Sequence, residues 1–185
     1  NKRAIFDFTS IQALLDKGKN IQLHSGHQMN WEYGHWAIAT QVPVPWIGIY
    51  MRINNKTMDR IFYKIRNKGK TVLVAVQEFK NRAHHCFNEQ YTIGLAADQN
   101  FVTGPDKGAR KNNTAVVFVR FVKIKRGHYR FDPEVITENA AELIEGELTL
   151  IYRDFLEATI LKNPDNYLWS HRRWKWAYKE AYEKR

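Results

Sequence analysis

His27 and Glu32 stand five residues apart in Gly26-His27-Gln28-Met29-Asn30-Trp31-Glu32. A histidine beside a carboxylate is the pairing that turns a hydroxyl into a nucleophile: one ring nitrogen donates to the carboxylate while the other removes the hydroxyl proton. In one continuous helix, five residues rotate by about 500°, which leaves the two side chains roughly 140° apart. The pair therefore meets only if His27 sits in a turn and Glu32 in the first turn of the following helix. The same residues admit a structural reading, in which His27 is a satisfied polar group at a strand end and Glu32 merely complements a helix dipole. Metal ligation is a third reading, because His24, His27, Glu32 and His35 are all common ligand types. Their spacing matches no established zinc pattern, so neither a metal nor another cofactor is expected.

The surrounding sequence supplies elements that suit a catalytic turn. Residues 21–24 alternate apolar and polar as a short strand does, Ser25-Gly26 is turn chemistry, and residues 31–39 read as a helix. Upstream, residues 5–15 carry an amphipathic helical pattern stopped at Lys17-Gly18-Lys19. Downstream, the order is strand 45–52, helix 57–68 ended by Gly69, strand 71–76, helix 77–90 and strand 91–97. Strands alternating with helices at this interval suit crossover connections. Residues 115–125 and 128–135 flank Arg126-Gly127 as a hairpin, and residues 143–161 form a longer helix stopped near Asn163-Pro164. The predicted fold class is a mixed α/β layer, with a largely central β-sheet flanked by helices, in one domain spanning residues 1–185.

Charge narrows the partner's chemistry. The 185 residues carry a net charge of +10, which favours an anionic partner: nucleic acid, an anionic membrane surface, an acidic carrier protein or a phosphorylated substrate. Arg52, at the end of a strand-like run, offers the bidentate fork that suits a phosphate or anionic headgroup. Asp98 ends an apolar strand, where α/β active sites gather; it reads equally as a cap for the loop that follows. Cys86 is the single cysteine, which rules out an intrachain disulfide and reads as structural. No stretch approaches the roughly 20 apolar residues that span a bilayer. The chain opens at Asn1 without methionine, and it is read as a portion of a longer protein, without an N-terminal membrane-anchor region.

Four spaced blocks then agree with one family. Gly26 to Glu32 resembles the His-x4-Asp/Glu motif of the lysophospholipid acyltransferase superfamily, in the Asn-Trp-Glu form of bacterial lipid A late acyltransferases. Tyr50-Met51-Arg52-Ile53-Asn54-Asn55 is similar to that family's Tyr-Arg-x-x-Asn-Pro block, and Asp59-Arg60 follows it. Ala97-Asp98-Gln99 resembles its Ala-Asp-Gln block, and Trp169 to Lys175 its closing Trp-x-His-Arg-Arg-Trp-Lys signature. One departure is clear: Asn100 meets Phe101-Val102-Thr103-Gly104-Pro105 without the family's Phe-Phe-Gly-like loop. The resemblance implies a glycerolipid acyltransferase-like fold at the cytoplasmic face of the bacterial inner membrane. It implies transfer of a fatty acyl group from a thioester, on acyl carrier protein, to a hydroxyl of a lipid A precursor bearing an anionic headgroup. His27 would be the base and Glu32 its orienting partner. Arg52, Asn54, Asp98, Gln99 and Arg172 would contact substrate. Other acceptors remain open within that reading, namely a glycolipid, an aminolipid or a lysophospholipid, and so does hydrolysis by the same dyad. A basic nucleic-acid-binding module fits the charge but leaves all four blocks unexplained, so no nucleic-acid partner is expected. The closing Arg172-Arg173-Trp174-Lys175-Trp176 cluster fits an anionic membrane surface, and equally a helix that packs its tryptophans inward.

Overall fold

A computed structural model describes residues 3–28, 30–98 and 103–170. Its centre is a seven-stranded sheet: β1 (Ala4–Phe6), β2 (Ile21–Ser25), β3 (Trp46–Tyr50), β4 (Thr71–Ala75), β5 (Thr92–Ala96), β6 (Ala115–Lys125) and β7 (His128–Thr137), in the order β1-β7-β6-β2-β5-β3-β4. Every ladder is parallel except the β6–β7 hairpin. Gly127 turns that hairpin at φ 74°, a conformation that costs glycine little.

Alternation along the strands divides the core into layers. Leu23, Trp46, Val117 and Phe121 pack with Ile11, Leu14 and Ile38 on the face covered by α1 (Thr9–Asp16) and α2 (Trp31–Ala39). Val116 and Phe118 turn the opposite way, toward Ala109 of α5 (Thr103–Lys111) and Leu148 and Tyr152 of α6 (Glu147–Lys162). Ile47, Val74 and Ile93 form a third cluster, against Phe79 and Cys86 of α4 (Phe79–Cys86). A sheet covered on both faces needs strands that are apolar throughout, and this is why residues 71–76 and 91–97 read as strands so plainly. The remaining helix, α3 (Lys56–Arg66), lies near the open end of the sheet and has no buried residue.

Two expectations are corrected and one helix is added. Residues 4–6 are a strand, not the start of a helix. Ala4 and Phe6 are buried while Ile5 is 50% exposed, which is period two, and all three residues pair with β7. The helix begins only at Thr9, whose backbone N–H donates to Asp7 Oδ1. Residues 77–90 divide into a 3-10 turn (Val76–Glu78) and the shorter α4. The Thr103-Gly104-Pro105 segment opens α5, because proline lacks only an N–H that a first helical turn leaves unpaired.

Gly69 is fixed by close approach. It has φ +56°, and a Cβ there would lie 2.1 Å from the carbonyl oxygen of Ala39, at the end of α2. Gly69→Ala therefore combines a left-handed backbone, costing about 1–2 kcal/mol, with a backbone overlap that forces α2 and β4 apart. We expect its thermal midpoint to fall by at least about 5 °C; a melt superimposable on the parent would refute that close approach.

Candidate active site

β2 and β5 run parallel with Ser25 opposite Ala96, and the Ala97 N–H donates to the Ser25 carbonyl beyond the last pair. The register therefore delivers the residues just past each strand, His27 and Asp98, to the same height. Asp98 Oδ1 lies 2.6 Å from His27 Nδ1, and Asp98 Oδ2 accepts from the His27 backbone N–H at 2.9 Å. Tyr167 Oη donates to the same Oδ2 at 3.2 Å. The Asp98 side chain is 0% exposed and the His27 side chain 21%. A buried carboxylate with these donors stays where it is put, and it fixes the Nδ1–H tautomer, so the basic lone pair falls on Nε2.

Small and polar residues make that turn possible. A Cβ at Gly26 would lie 2.9 Å from Leu156 Cδ1, so a larger residue would push that side chain aside, and 3.6 Å from Asp98 Oδ2, in ordinary contact with the carboxylate. Gln28 is buried, and its Oε1 accepts from the Phe121 N–H at 3.1 Å. Asn30 takes the left-handed conformation at φ 62° just before α2, where asparagine is among the few tolerated side chains. The segment around Tyr167 closes the turn from outside. Gln28 and Tyr167 form a β-bridge, and the Leu168 N–H donates to the His27 carbonyl at 3.3 Å.

Glu32 occupies the first turn of α2, as its spacing predicts, but the carboxylate that meets the His27 ring is Asp98. Glu32 faces α3 instead. Its Oε1 accepts from Arg66 Nη2 at 2.6 Å and Nε at 3.0 Å. The physical reason is twofold: strand register brings Asp98 beneath the imidazole, and the cation at the end of α3 holds Glu32 away. Arg66 is also stacked, its Cζ lying 4.8 Å from the Trp31 ring centre, while Trp31 meets the His27 ring edge-on at 6.0 Å. The Arg66 carbonyl accepts from His35 Nε2 at 2.7 Å, and His35 Nδ1 accepts from Trp46 Nε1–H at 3.0 Å. Together these contacts fix the neutral tautomer of His35, whose pKa burial pushes down.

Arg52 and Asn54 come together elsewhere along the same strand-end edge. They line a cleft of about 490 Å³ with Tyr50, Lys56, Asp59, Arg60 and Tyr63. Arg52 is more than half exposed and pairs with Glu78, which also pairs with Arg82 at 3.2 Å. Gln99 and Arg172, with the rest of the closing cluster, lie outside the described residues. The four histidine and glutamate positions weighed as metal ligands are dispersed, and no cluster of three such groups with metal-holding geometry occurs among the described residues. Sequence reasoning missed Arg66 and Tyr167, whose partners lie 34 and 69 positions away and leave no local signal.

His24, on the opposite side of β2 from Leu23, is buried between Phe118 and Tyr152 and takes no part in this site. Gln22 Nε2 donates to its Nε2 at 2.6 Å, and its Nδ1 has no hydrogen-bond partner among the described residues. Burial lowers its pKa from 6.5 to about 3. The unfolded chain takes up this proton near pH 6.5 and the folded chain does not, so stability falls as pH drops below about 6.5, continuing toward 3. The slope for one such site is up to about 1.4 kcal/mol per pH unit, and His35 acts in the same direction. Urea unfolding at pH 7 and pH 5 should show this loss, reduced in His24→Gln; equal stability at both values would contradict it.

A parallel sheet whose strand ends present a histidine–carboxylate pair has the form of an α/β enzyme site that can deprotonate a hydroxyl or water. Residues 3–110 match the family model for bacterial lipid A biosynthesis acyltransferases, a span that holds His27, Glu32, Arg52, Arg66 and Asp98. No individual curated protein matches the sequence. The chain belongs to the bacterial lipid A biosynthesis acyltransferase family, and it is an acyltransferase of lipid A biosynthesis.

Proposed function

We propose that this single-domain chain transfers a fatty acyl group from an acyl thioester, carried on acyl carrier protein, to a hydroxyl of a lipid A precursor. The observation that carries the reading is the pairing of His27 Nδ1 with the buried Asp98 carboxylate. His27 Nε2 removes the proton of the acceptor hydroxyl as its oxygen attacks the thioester carbonyl. The tetrahedral adduct collapses, the C–S bond breaks, and the imidazolium returns the proton to the departing thiolate. An ester and a free thiol result. Asp98 holds the tautomer and stabilises the imidazolium that forms, by the logic of a hydrolase triad. No serine is required, because the acceptor supplies the nucleophilic oxygen.

Glu32 serves the reaction through Arg66, holding that cation over Trp31, which meets the His27 ring edge-on. The basic cleft containing Arg52, Asn54, Lys56 and Arg60 suits the anionic headgroup of the acceptor. Family resemblance supports substrate contacts for Gln99 and Arg172, and work at the cytoplasmic face of the inner membrane.

The test is product analysis with acyl carrier protein thioester in the presence and absence of a lipid A precursor. Acceptor-dependent formation of the acylated lipid is expected. Free fatty acid released equally without acceptor would replace the transferase mechanism with hydrolysis.

A further inference from the structure

Helix α3 turns an aliphatic row outward. Met58, Ile61 and Ile65 recur at helical spacing and are 42%, 45% and 49% exposed. At about 100° per residue they share one side, while Lys56, Arg60 and Lys64 form a second row centred roughly 130° around the helix. The helix cannot roll to bury the aliphatic row, because its inner side is tied down. Asp59 Oδ1 accepts from the Ile53 N–H at 2.9 Å, Phe62 lies 5.2 Å from the Arg66 guanidinium, and Arg66 is held by Glu32 at one end and by His35 at the other. Asn55 caps the first turn by accepting from Thr57 and Met58, so the helix is fixed at its start as well.

We infer that α3 lies in the interface of an anionic lipid bilayer, with Met58, Ile61 and Ile65 among the acyl chains and Lys56, Arg60 and Lys64 at headgroup level. An aliphatic row flanked by cations, on a helix of low overall hydrophobicity, is the pattern of a helix that lies in the interfacial plane. Charge complementarity sets the sign of the surface. The basic cleft borders the cationic flank through Lys56 and Arg60, so this pose brings its mouth to the depth of lipid phosphates. An acidic carrier protein would meet the cations equally well, but it gives three exposed aliphatic side chains no comparable apolar medium. The inference rests on the lipid-acceptor reading for its setting, and its test therefore reads binding rather than turnover.

Cosedimentation of the full chain with phosphatidylcholine vesicles, with and without phosphatidylglycerol, tests it. The parent should bind the anionic vesicles, and more weakly as salt rises. In Ile61→Ser/Ile65→Ser the partition coefficient should fall at least about tenfold. Lys64→Glu should bind less and with a shallower salt dependence. Both variants should keep the parental melting midpoint and the parental rate on detergent-dispersed acceptor. Unchanged vesicle binding by the serine pair would overturn the assignment, as would binding lost only in Arg172→Ala/Arg173→Ala. A self-association, or a complex with acidic carrier protein, that disappears in the serine pair while vesicle binding persists would assign the row to that partner instead. Vesicle binding as described by a chain that transfers no acyl group would separate this inference from the catalytic one.

Discussion

Asp98→Asn lowers acyl transfer by about 10³–10⁴-fold, the loss expected when a base is left in the wrong tautomer. Asparagine keeps the shape of Asp98 but offers one acceptor oxygen where the carboxylate has two. His27 uses both, through its ring Nδ1 and its backbone N–H. If the amide nitrogen faces the ring, Nδ1 becomes the acceptor and the proton moves to Nε2, which removes the base from the hydroxyl. His27→Ala removes the base itself and costs about 10²–10⁴-fold. The two residues act as one unit, so the double variant should be little worse than the poorer single one. Single-turnover rates measure the loss, and nitrogen chemical shifts of the imidazole report the tautomer. Asp98→Asn with near-parental turnover would sink the assignment of Asp98.

Glu32→Ala lowers transfer by about 10²-fold, through a different route. It leaves Arg66 in a partly buried position without the carboxylate that accepts from its Nε and Nη2. Hydrogen bonds to charged groups contribute about 1.5–3 kcal/mol, so a measurable loss of stability accompanies the loss of rate. Arg66→Lys should reproduce part of both effects, because an ammonium cannot span the carboxylate or stack on Trp31 as a guanidinium does. Double-mutant cycles separate this arrangement from a His27–Glu32 dyad. Glu32→Ala and Arg66→Ala should couple by about 1–3 kcal/mol in activation free energy, whereas Glu32→Ala and Asp98→Asn should be nearly additive. Strong coupling in the second pair and none in the first would restore Glu32 as the residue that orients the base.

These predictions differ from a reading of spacing alone because of where information lies in the chain. The turn at His27 and the helix at Glu32 were legible, since each depends on neighbours within a few positions. The α/β layer with its central sheet was legible for the same reason: continuous apolar strands alternate with helical segments. What five-residue spacing could not decide was which carboxylate meets the imidazole. That depends on β2 and β5 pairing in register, and on Arg66 arriving from the end of α3 to take Glu32. Asp98 did carry a signal, as an acid at the end of a strand. The edge strand at residues 4–6 was masked by a helical period that continues into α1, and only pairing with β7 reveals it. The first turn of α5 was hidden by glycine and proline, whose local preference is outweighed by packing: Ala109 and Asp106 are both buried there.

The Tyr167 segment gives the site a history as well as a shape. His27 and Asp98, with β2 and β5, precede the β6–β7 hairpin and α6 in the chain. The hydroxyl that steadies Asp98, and the N–H that ties down the His27 carbonyl, come from positions 167 and 168. Between them lie α5, the hairpin and α6. During synthesis the base is therefore made before the residues that steady it, and the turn closes only when the segment around Tyr167 docks.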